Sequence, residues 1–591
     1  MNKQKRYLIT TADERTWKFD RPVIFLGEWC RLYKRKHIWG PMDAIVAKPY
    51  GLGVANKDRD YADAKLLEKK FFLLLVDLLN QHHHVNYSIR FWQVLLGHWF
   101  RRYVDVIINR LRTLESCIHE YEISGTSVYS NDQYTLATQY SSSATLIFNN
   151  DYWNNILNGY ILNCYNKLNF SIEVIDDASL LNFQTNQLFI PQSLKRKVIK
   201  WCHRKISKCL NFLVKDTDAF IIGSFLPIRE EIKLHLTLMQ FPQLRTSFRP
   251  DQIIKPNLTL REKLGNQLIY NNDNNLERIL GKMLFKLIPV CYLEGFFNLN
   301  TLVKQQYWPK NPKFIFTSNN FDDDDVFKLW TAIQIESGVK YFVGQHGNNY
   351  GTHRYLCSTI EEITADKFLT WGWKDNLSQH TPAFILKKPN IGLHRTNPRS
   401  GLLLIENVLP HSFSTWDVTI EFKKYFEEQQ IFINALTHKP KKEITVRLHH
   451  TYKYFNWNEL ERWYDFDPNI KIEEGDVPIS KLILQNRLVV HSYDSTGILE
   501  CLAENIPTLA FWQGGLDHLR ESAKPYYQLL VDAGVVHLNP KSAAHKVNEI
   551  WNDVDGWWRQ NKVQKARKQF CKKYAKFSET PIYDLKKILL E

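Results

Sequence analysis

The stretch RLVVHSYDSTGILECLAENIPTLAFW, residues 487–512, constrains the fold of this chain more tightly than any other. Leu488, Val489 and Val490 are a short aliphatic run suited to a buried strand, and Ile498, Leu499, Leu502 and Ala503 recur at helical spacing. Pro507 stops that helix, and TLAFW starts a second strand. Strand, polar turn, helix and strand in this order are a unit of an α/β sheet. The turn's hydroxyls have two readings. Ser495 or Thr496 is an N-cap, or the helix start, with free N–H groups and a positive dipole end, holds a phosphate.

Similar units recur along the chain. YLITTADERTW and PVIFLGEWCRLY are two short apolar strands that end in polar residues, as in a parallel sheet. Residues 60–120 carry apolar side chains at three- and four-residue spacing and predict helices, whereas 120–200 reads as an irregular insertion. Alternation returns with DAFIIGSFLP, KFIFTSNNF, VKYFVGQHGNNYG and DKFLTWGW. PNIGLHRTNPRSG has the composition of a linker, and a second series follows: GLLLIENVLP, EITVRLHH, NIKIEEGD, RLVVHSYD and TLAFW. The pattern predicts an N-terminal Rossmann-like unit over 1–390 with helical insertions, a second over 399–556, and a C-terminal basic helical segment over 557–591 that packs back on the first. The two doubly wound units face each other across a central cleft.

Composition narrows the class. Hydrophobic content of 44% and charged content of 24% suit a water-soluble globular chain, and no run reaches the ~20 apolar residues of a membrane span. FFLLLVDLLN is short and carries Asp77, and the N-terminus lacks an apolar signal core, so a cytoplasmic protein is expected. The nine cysteines are scattered without a CxxC pair, against a disulfide framework or zinc site. The net charge of +15 is spread through the chain with no nucleic-acid module, so no nucleic-acid partner is expected. Its densest cluster, WWRQNKVQKARKQFCKKYAKF, reads either as a solvated helix face or as a contact for anionic lipid or a phosphorylated substrate. FDDDDVF follows a strand and opens a helix, where carboxylates meet the helix dipole. Neither metal nor cofactor is expected.

In an open α/β sheet ligands gather beyond the carboxyl ends of the strands. Those ends supply Thr10, Thr11 and Asp13; Gly27 and Glu28; Ser224; Gln345, His346 and Gly347; Glu406; Arg447 and His449; and the turn from His491 to Gly497. QHGNNYG sets a histidine before a loop whose glycines and asparagines, Asn348 among them, let backbone approach a ligand. Arg447 and His449 are candidate phosphate donors with Ser492, Ser495, Thr496 and Gly497, and Glu500, one turn into the helix, is placed for a ribose hydroxyl. Thr10, Thr11, Gln345, Gly347 and Asn348 would line the substrate cleft.

LITTADERTWKFDRPVIFLGEWCRLY, QHGNNYG, LTWGW and HSYDSTG resemble a family of transferases encoded in bacterial O-antigen clusters, from near residue 8 to near residue 515. HSYDSTGILECLAENIP resembles the donor-domain segment of GT-B glycosyltransferases, and QHGNNYG with EEITADKFLTWGW is similar to capsule and teichoic-acid polymer transferases. The resemblance implies a GT-B-like fold and metal-independent transfer from a nucleotide-sugar to a glycan or lipid-linked glycan acceptor at the inner face of the membrane. GT-B families using CMP-activated acidic sugars carry a Ser/Thr segment, matched here by Ser492, Ser495 and Thr496, and a His-Pro segment, replaced here by His449 and His450. Sugar transfer needs a base on the acceptor hydroxyl, for which His346, Asp13 and Glu28 are candidates, and stabilisation of the departing phosphate. A polyol-phosphate transferase, a nucleotide-sugar epimerase and a non-catalytic glycan-binding scaffold remain as alternatives.

Overall fold

A computed structural model describes residues 4–51, 53–130, 136–165, 168–176, 211–243, 245, 253–268, 275–387, 401–409, 421–512 and 514–591. These residues form an α/β structure with three sheets, and every strand pair is parallel. The expected linker and the boundary at 390–399 lie outside the described residues, apart from Gly401.

The first sheet runs Ala44–Val46, Val23–Phe25, Arg6–Ile9, Ile123–Tyr129, Ser171–Ile175. The second runs His380–Pro382, Lys367–Thr370, Tyr341–Gly344, Ile315–Thr317, Phe220–Ile221. The 1–390 segment therefore carries two separate sheets where the pattern suggested one. The irregular insertion is also corrected in part, since Ile123–Tyr129 and Ser171–Ile175 complete the first sheet. Ile123–Tyr129 reads ISGTSVY, too rich in Gly, Ser and Thr to announce a strand, yet Thr126 and Ser127 are buried and hydrogen-bonded, Thr126 to the Leu8 carbonyl at 2.9 Å and Ser127 to Tyr7 at 2.6 Å. Sheet pairing, not apolar content, holds this strand in the core.

The third sheet runs Lys471–Glu473, Ile444–Arg447, Leu402–Ile405, Leu488–His491, Thr508–Phe511, Val536–His537. Its central strands are largely apolar and buried, as sheets covered by helices on both faces require. Strand order reverses between Leu402–Ile405 and Leu488–His491, and in the first sheet between Arg6–Ile9 and Ile123–Tyr129. Such reversals open a crevice at the carboxyl edge.

Helices Val54–His83 and Ile89–Glu120 join the first two sheets. Gly97 packs against Ile360, and Arg102 pairs with Asp322 at 2.6 Å on the second-sheet side, while Arg110 donates to Asn154 at 2.8 Å on the first. FFLLLVDLLN lies within Val54–His83, with Phe71, Phe72, Leu75, Val76 and Leu79 buried. No helix among the described residues is long and apolar enough to cross a membrane.

The C-terminal segment forms helices Val554–Arg559, Asn561–Tyr574 and Pro581–Leu590. Val563, Ala566, Phe570 and Tyr574 face inward, and Arg567 donates to the Leu502 carbonyl at 2.9 Å, a cation at a helix C-terminus. The chain then returns to the second sheet: Lys576 N–H donates to the Trp371 carbonyl at 2.9 Å, and Leu585 and Leu589 join Phe342, Leu369 and Phe384 in one buried cluster. Leu585→Ala is therefore expected to cost about 2–5 kcal/mol, read as a lower urea midpoint, while Tyr583→Ala, at a site 70% exposed, stays within about 0.5 kcal/mol.

Candidate functional site

The carboxyl edges of all three sheets meet at the third. From the second sheet comes the loop 345–350, and the Gln345 side chain fixes it. Its Oε1 accepts from the Trp371 N–H and the Trp373 indole, both at 2.9 Å, and its Nε2 donates to the Gly347 carbonyl at 2.8 Å. QHGNNYG and LTWGW are thus one packing unit. Gly351, at φ +71°, lies so close to Trp373 that a Cβ would stand 2.4 Å from the indole. Gln345, expected in the substrate cleft, is spent on this joint.

The fixed loop seats on the third sheet. Asn348 N–H donates to Thr496 Oγ1 at 2.9 Å, and its Nδ2 donates to Asp494 at 2.8 Å. Asp494 also accepts from the Tyr527 hydroxyl at 3.0 Å and lies 3.1 Å from His518 Nε2, so it gathers three elements. Sequence reasoning passed over Asp494 for the hydroxyls beside it, although it stands in the same turn.

Within the turn, Ser495 caps helix Thr496–Ala503 by accepting from Ile498 N–H at 3.2 Å, and it meets His491 at 3.0 Å. Burial pushes the His491 imidazole down to about 3, so it is neutral. Gly497 has a packing reason, because a Cβ there would lie 2.6 Å from His491 Cε1. Ser492 is buried between the Tyr425 hydroxyl, at 2.5 Å, and the Ile405 carbonyl, at 3.0 Å. The capping reading therefore accounts for the side chain of Ser495, while that of Ser492 is held by Tyr425 and Ile405. The N–H groups of Thr496 and Gly497 take no acceptor among the described residues. Glu500 lies 3.1 Å from Lys387, which competes with a ribose role.

His346 lies half-buried between Phe225 and Phe321. Its Nδ1 is 3.3 Å from the Tyr350 hydroxyl, which donates to Glu361, and Glu361 lies 3.6 Å from His98. The tyrosine proton is committed to Glu361, and the Ser318 carbonyl also accepts from the imidazole, so the ring is held from two sides. Burial lowers the His346 pKa, against the pull of Glu361 and Asp322.

A cleft of about 840 Å³ opens between the carboxyl edges of the first and third sheets, within the ~300–1,000 Å³ of ligand pockets. Ala12, Asp13, Arg15, Asp151 and Tyr152 line one wall, and Tyr452, Lys453, Asn456 and Glu474 line the other. Asp13 accepts from Arg15 at 3.0 Å and from the Tyr129 hydroxyl. Glu28 is held by Arg31 at 2.6 Å and lies 3.7 Å from Lys423. Thr10 and Thr11 are buried, their carbonyls accepting from the indoles of Trp29 and Trp17 at 3.1 and 3.0 Å. Arg447 is buried 3.6 Å from Glu473, and its pKa is lowered by burial. His449 bonds Thr451 at 2.8 Å, and burial, then His450 and Arg447, push it to about 4, so its ring is uncharged at neutral pH. Ser224 pairs with Glu231.

The aspartate run is likewise committed: Asp322 to Arg102, Asp324 to the Phe327 N–H as an N-cap, and Asp325 to Lys328 at 2.7 Å. Among the described residues no group of three or more His, Cys, Asp or Glu could hold a metal ion.

A family model of the LIC12162 family transferases matches residues 6–589. The chain belongs to that transferase family. Among curated proteins none matches it. Similar solved structures include spinosyn rhamnosyltransferase SpnG complexed with thymidine diphosphate, at 11% identity, covering 63% of this chain and 100% of that one with a TM-score of 0.32. MurG from Acinetobacter baumannii matches at 9% identity over 63% and 99% of the two chains with a TM-score of 0.32. The wall teichoic acid polymerase TagF, in a variant form, matches at 11% over 68% and 98% with a TM-score of 0.31.

One further strand end carries a buried acid pair. Glu406, following Leu402–Ile405, accepts from the Trp463 indole at 3.0 Å, and Glu459, 2% exposed, has neither carboxylate oxygen hydrogen-bonded. Burial first, and for Glu406 then the neighbouring Glu459, raises both pKa values above the ordinary 4.5. A raised folded-state value gives stability that is complete below the ordinary value and lost as pH climbs through the folded one. Parent stability should therefore fall between about pH 5 and pH 8 more steeply than that of Glu459→Gln, with the variant ahead by on the order of 1–3 kcal/mol at the upper end in urea titrations.

Proposed function

We propose that the chain transfers a sugar from a nucleotide-sugar to a surface glycan such as an O-antigen or capsule, CMP-activated acidic sugars being one donor class. The observation that carries this reading is the seating of the 345–350 loop on the start of helix Thr496–Ala503. It gathers unpaired N–H groups, a hydroxyl and an imidazole at the carboxyl edge beside the strand reversal of the third sheet. A nucleotide phosphate fits there, against the N–H groups of Thr496 and Gly497 and the dipole of their helix. As the bond to the sugar breaks, negative charge grows on that phosphate, and fixed N–H donors stabilise it without reorganising. Arg447, two strands along the same edge and 3.6 Å from Glu473, is the cation of that edge assigned to the phosphate.

Of the three groups considered for the base, Asp13 and Glu28 are bound to arginines. His346 adjoins Gly347, which touches the phosphate-side helix start, and we assign its imidazole to a hydroxyl of the donor sugar. The acceptor glycan takes the 840 Å³ cleft, which Tyr152 and Tyr452 line.

A thermal-shift series with CMP, UDP, GDP and CDP tests this reading. One nucleotide at ~100 times its dissociation constant should add ~2.7 kcal/mol of stability, and Thr496→Ala should weaken its binding. Four flat responses would remove the donor site. A lipid-linked acceptor would further bring the outward Lys565, Lys568 and Lys572 of helix Asn561–Tyr574 to an anionic membrane. Each cation near such a surface contributes ~1 kcal/mol. Binding to phosphatidylserine vesicles should vanish near ~0.5 M salt, where the Debye length falls to ~4 Å, and charge reversal of the three lysines should abolish it.

A further inference from the structure

Charge accounting in the cleft between the first and third sheets singles out one side chain. Five carboxylates line it: Asp13, Glu14, Asp151, Glu461 and Glu474. Four are neutralised by cations of the same cleft, Asp13 by Arg15 at 3.0 Å, Glu14 by Arg35, Glu461 by Lys34 at 2.9 Å and Glu474 by Lys453 at 2.8 Å. Asp151 has no cation partner among the described residues, and its Oδ1 accepts only the Ala12 N–H, at 3.1 Å.

Its position is set by the fold. Asp151 opens helix Asp151–Leu162, behind the Asn150 cap, and the Ala12 N–H belongs to the segment leaving Arg6–Ile9, beside the strand reversal of the first sheet. The backbone bond holds one oxygen and leaves Oδ2 uncommitted. Arg110 of helix Ile89–Glu120 shares a small neighbouring cavity with Asp151, but its guanidinium donates to Asn154 and to the Phe148 carbonyl. Arg15 stacks over Tyr152 and pairs with Asp13. Lys453 faces from the third sheet, already paired with Glu474. A carboxylate left without a cation where four neighbours have one is a costly arrangement, and such cost gathers at catalytic positions.

We propose that Asp151 is the base that deprotonates the acceptor hydroxyl, an assignment that rests on the sugar-transfer reading. Asp151 Oδ2 takes the hydroxyl proton, and the acceptor oxygen bonds to the anomeric carbon of the nucleotide-sugar. The bond from that carbon to the donor phosphate oxygen breaks, and its electron pair leaves with the nucleotide. Attack from the side opposite the phosphate inverts the anomeric centre. Burial, and after it the nearby Asp13, raise the Asp151 carboxyl to about 7, so its charged form is poised near neutral pH. Local pattern does not announce this residue, because Asp151 stands in a stretch, NDQYTLATQYSSSATLIFNND, without visible periodicity.

The test is Asp151→Asn, which keeps the shape and the bond from Ala12. Parent and variant are assayed with UDP-, GDP-, CDP- and CMP-sugars and with glycan extracted from a host strain deleted for this chain. The variant should lose ~10²–10⁴-fold in kcat. The parent's kcat/KM should rise about tenfold per pH unit up to about 7 and then level, and the variant should lack that rise. His346→Gln should keep the rise and raise the donor KM. Thermal unfolding gives an activity-free readout: the variant should melt above the parent at pH 8 and match it near pH 4, since an unneutralised carboxylate costs stability only when ionised. Parental turnover in Asp151→Asn, or loss of the pH limb in His346→Gln instead, overturns Asp151 as base and leaves sugar transfer standing. Equal melting at pH 8 overturns the premise that the carboxylate is unneutralised. A parent that transfers from none of the four donor classes overturns the sugar-transfer reading and this assignment with it.

Discussion

The side-chain amide of Gln345 is the joint on which the proposed site depends. One oxygen takes a main-chain N–H and an indole N–H from the Trp371–Trp373 pair, while the amide nitrogen closes back on the Gly347 carbonyl. A buried acceptor with two donors and a buried donor with an acceptor have no competing geometry at similar cost, because any rotation strands a polar group away from water. The loop is therefore rigid before anything binds. Its asparagine reaches the third sheet at one register only, on Thr496 and Asp494. The short motifs that stand out along the chain are thus parts of a single contact, separated in sequence and joined in space.

How much of this was legible depended on whether an element declares itself by its own residues. Val23–Phe25, Leu402–Ile405 and Leu488–His491 are aliphatic runs with polar exits, and the two long helices carry clear periodicity. Ile123–Tyr129 was hidden because its burial comes from neighbours on both sides, with hydroxyls satisfied by Leu8 and Tyr7. With that strand unseen, the first sheet could not be separated from the second, and one unit was expected where two sheets stand. Positions at strand ends were readable, since parallel strands must end on one side. Whether a side chain there was free could not be read. Ser492, Gln345 and Asp13 stand at those ends yet are spent on neighbours, whereas Asp151 is at no strand end and keeps an oxygen uncommitted.

Buried acids are treated in two ways in this molecule. Where the fold needs a carboxylate charged it supplies an arginine or lysine, as for Asp322 with Arg102 and Asp325 with Lys328. Where it does not, as at Glu406 and Glu459, burial raises the pKa and favours the neutral form. The second choice is the less costly one in a dry interior, because an unpaired ion is far harder to bury than a neutral acid. Acid pairs of this kind need not be functional, and their pH signature tells them apart from a cleft residue only when exposure to ligand is added.

The return of the C-terminal helices to the second sheet has a mechanical consequence. The chain passes between the second and third sheets twice, once between Lys387 and Gly401 and again where Lys576 meets Trp371. Separating the second sheet from the third would pull Leu585 and Leu589 out of their buried cluster or part Lys576 from Trp371, so the C-terminal helices act as a strap across the two sheets. Helix Pro581–Leu590, anchored by Leu585 and Leu589, keeps the second attachment from sliding.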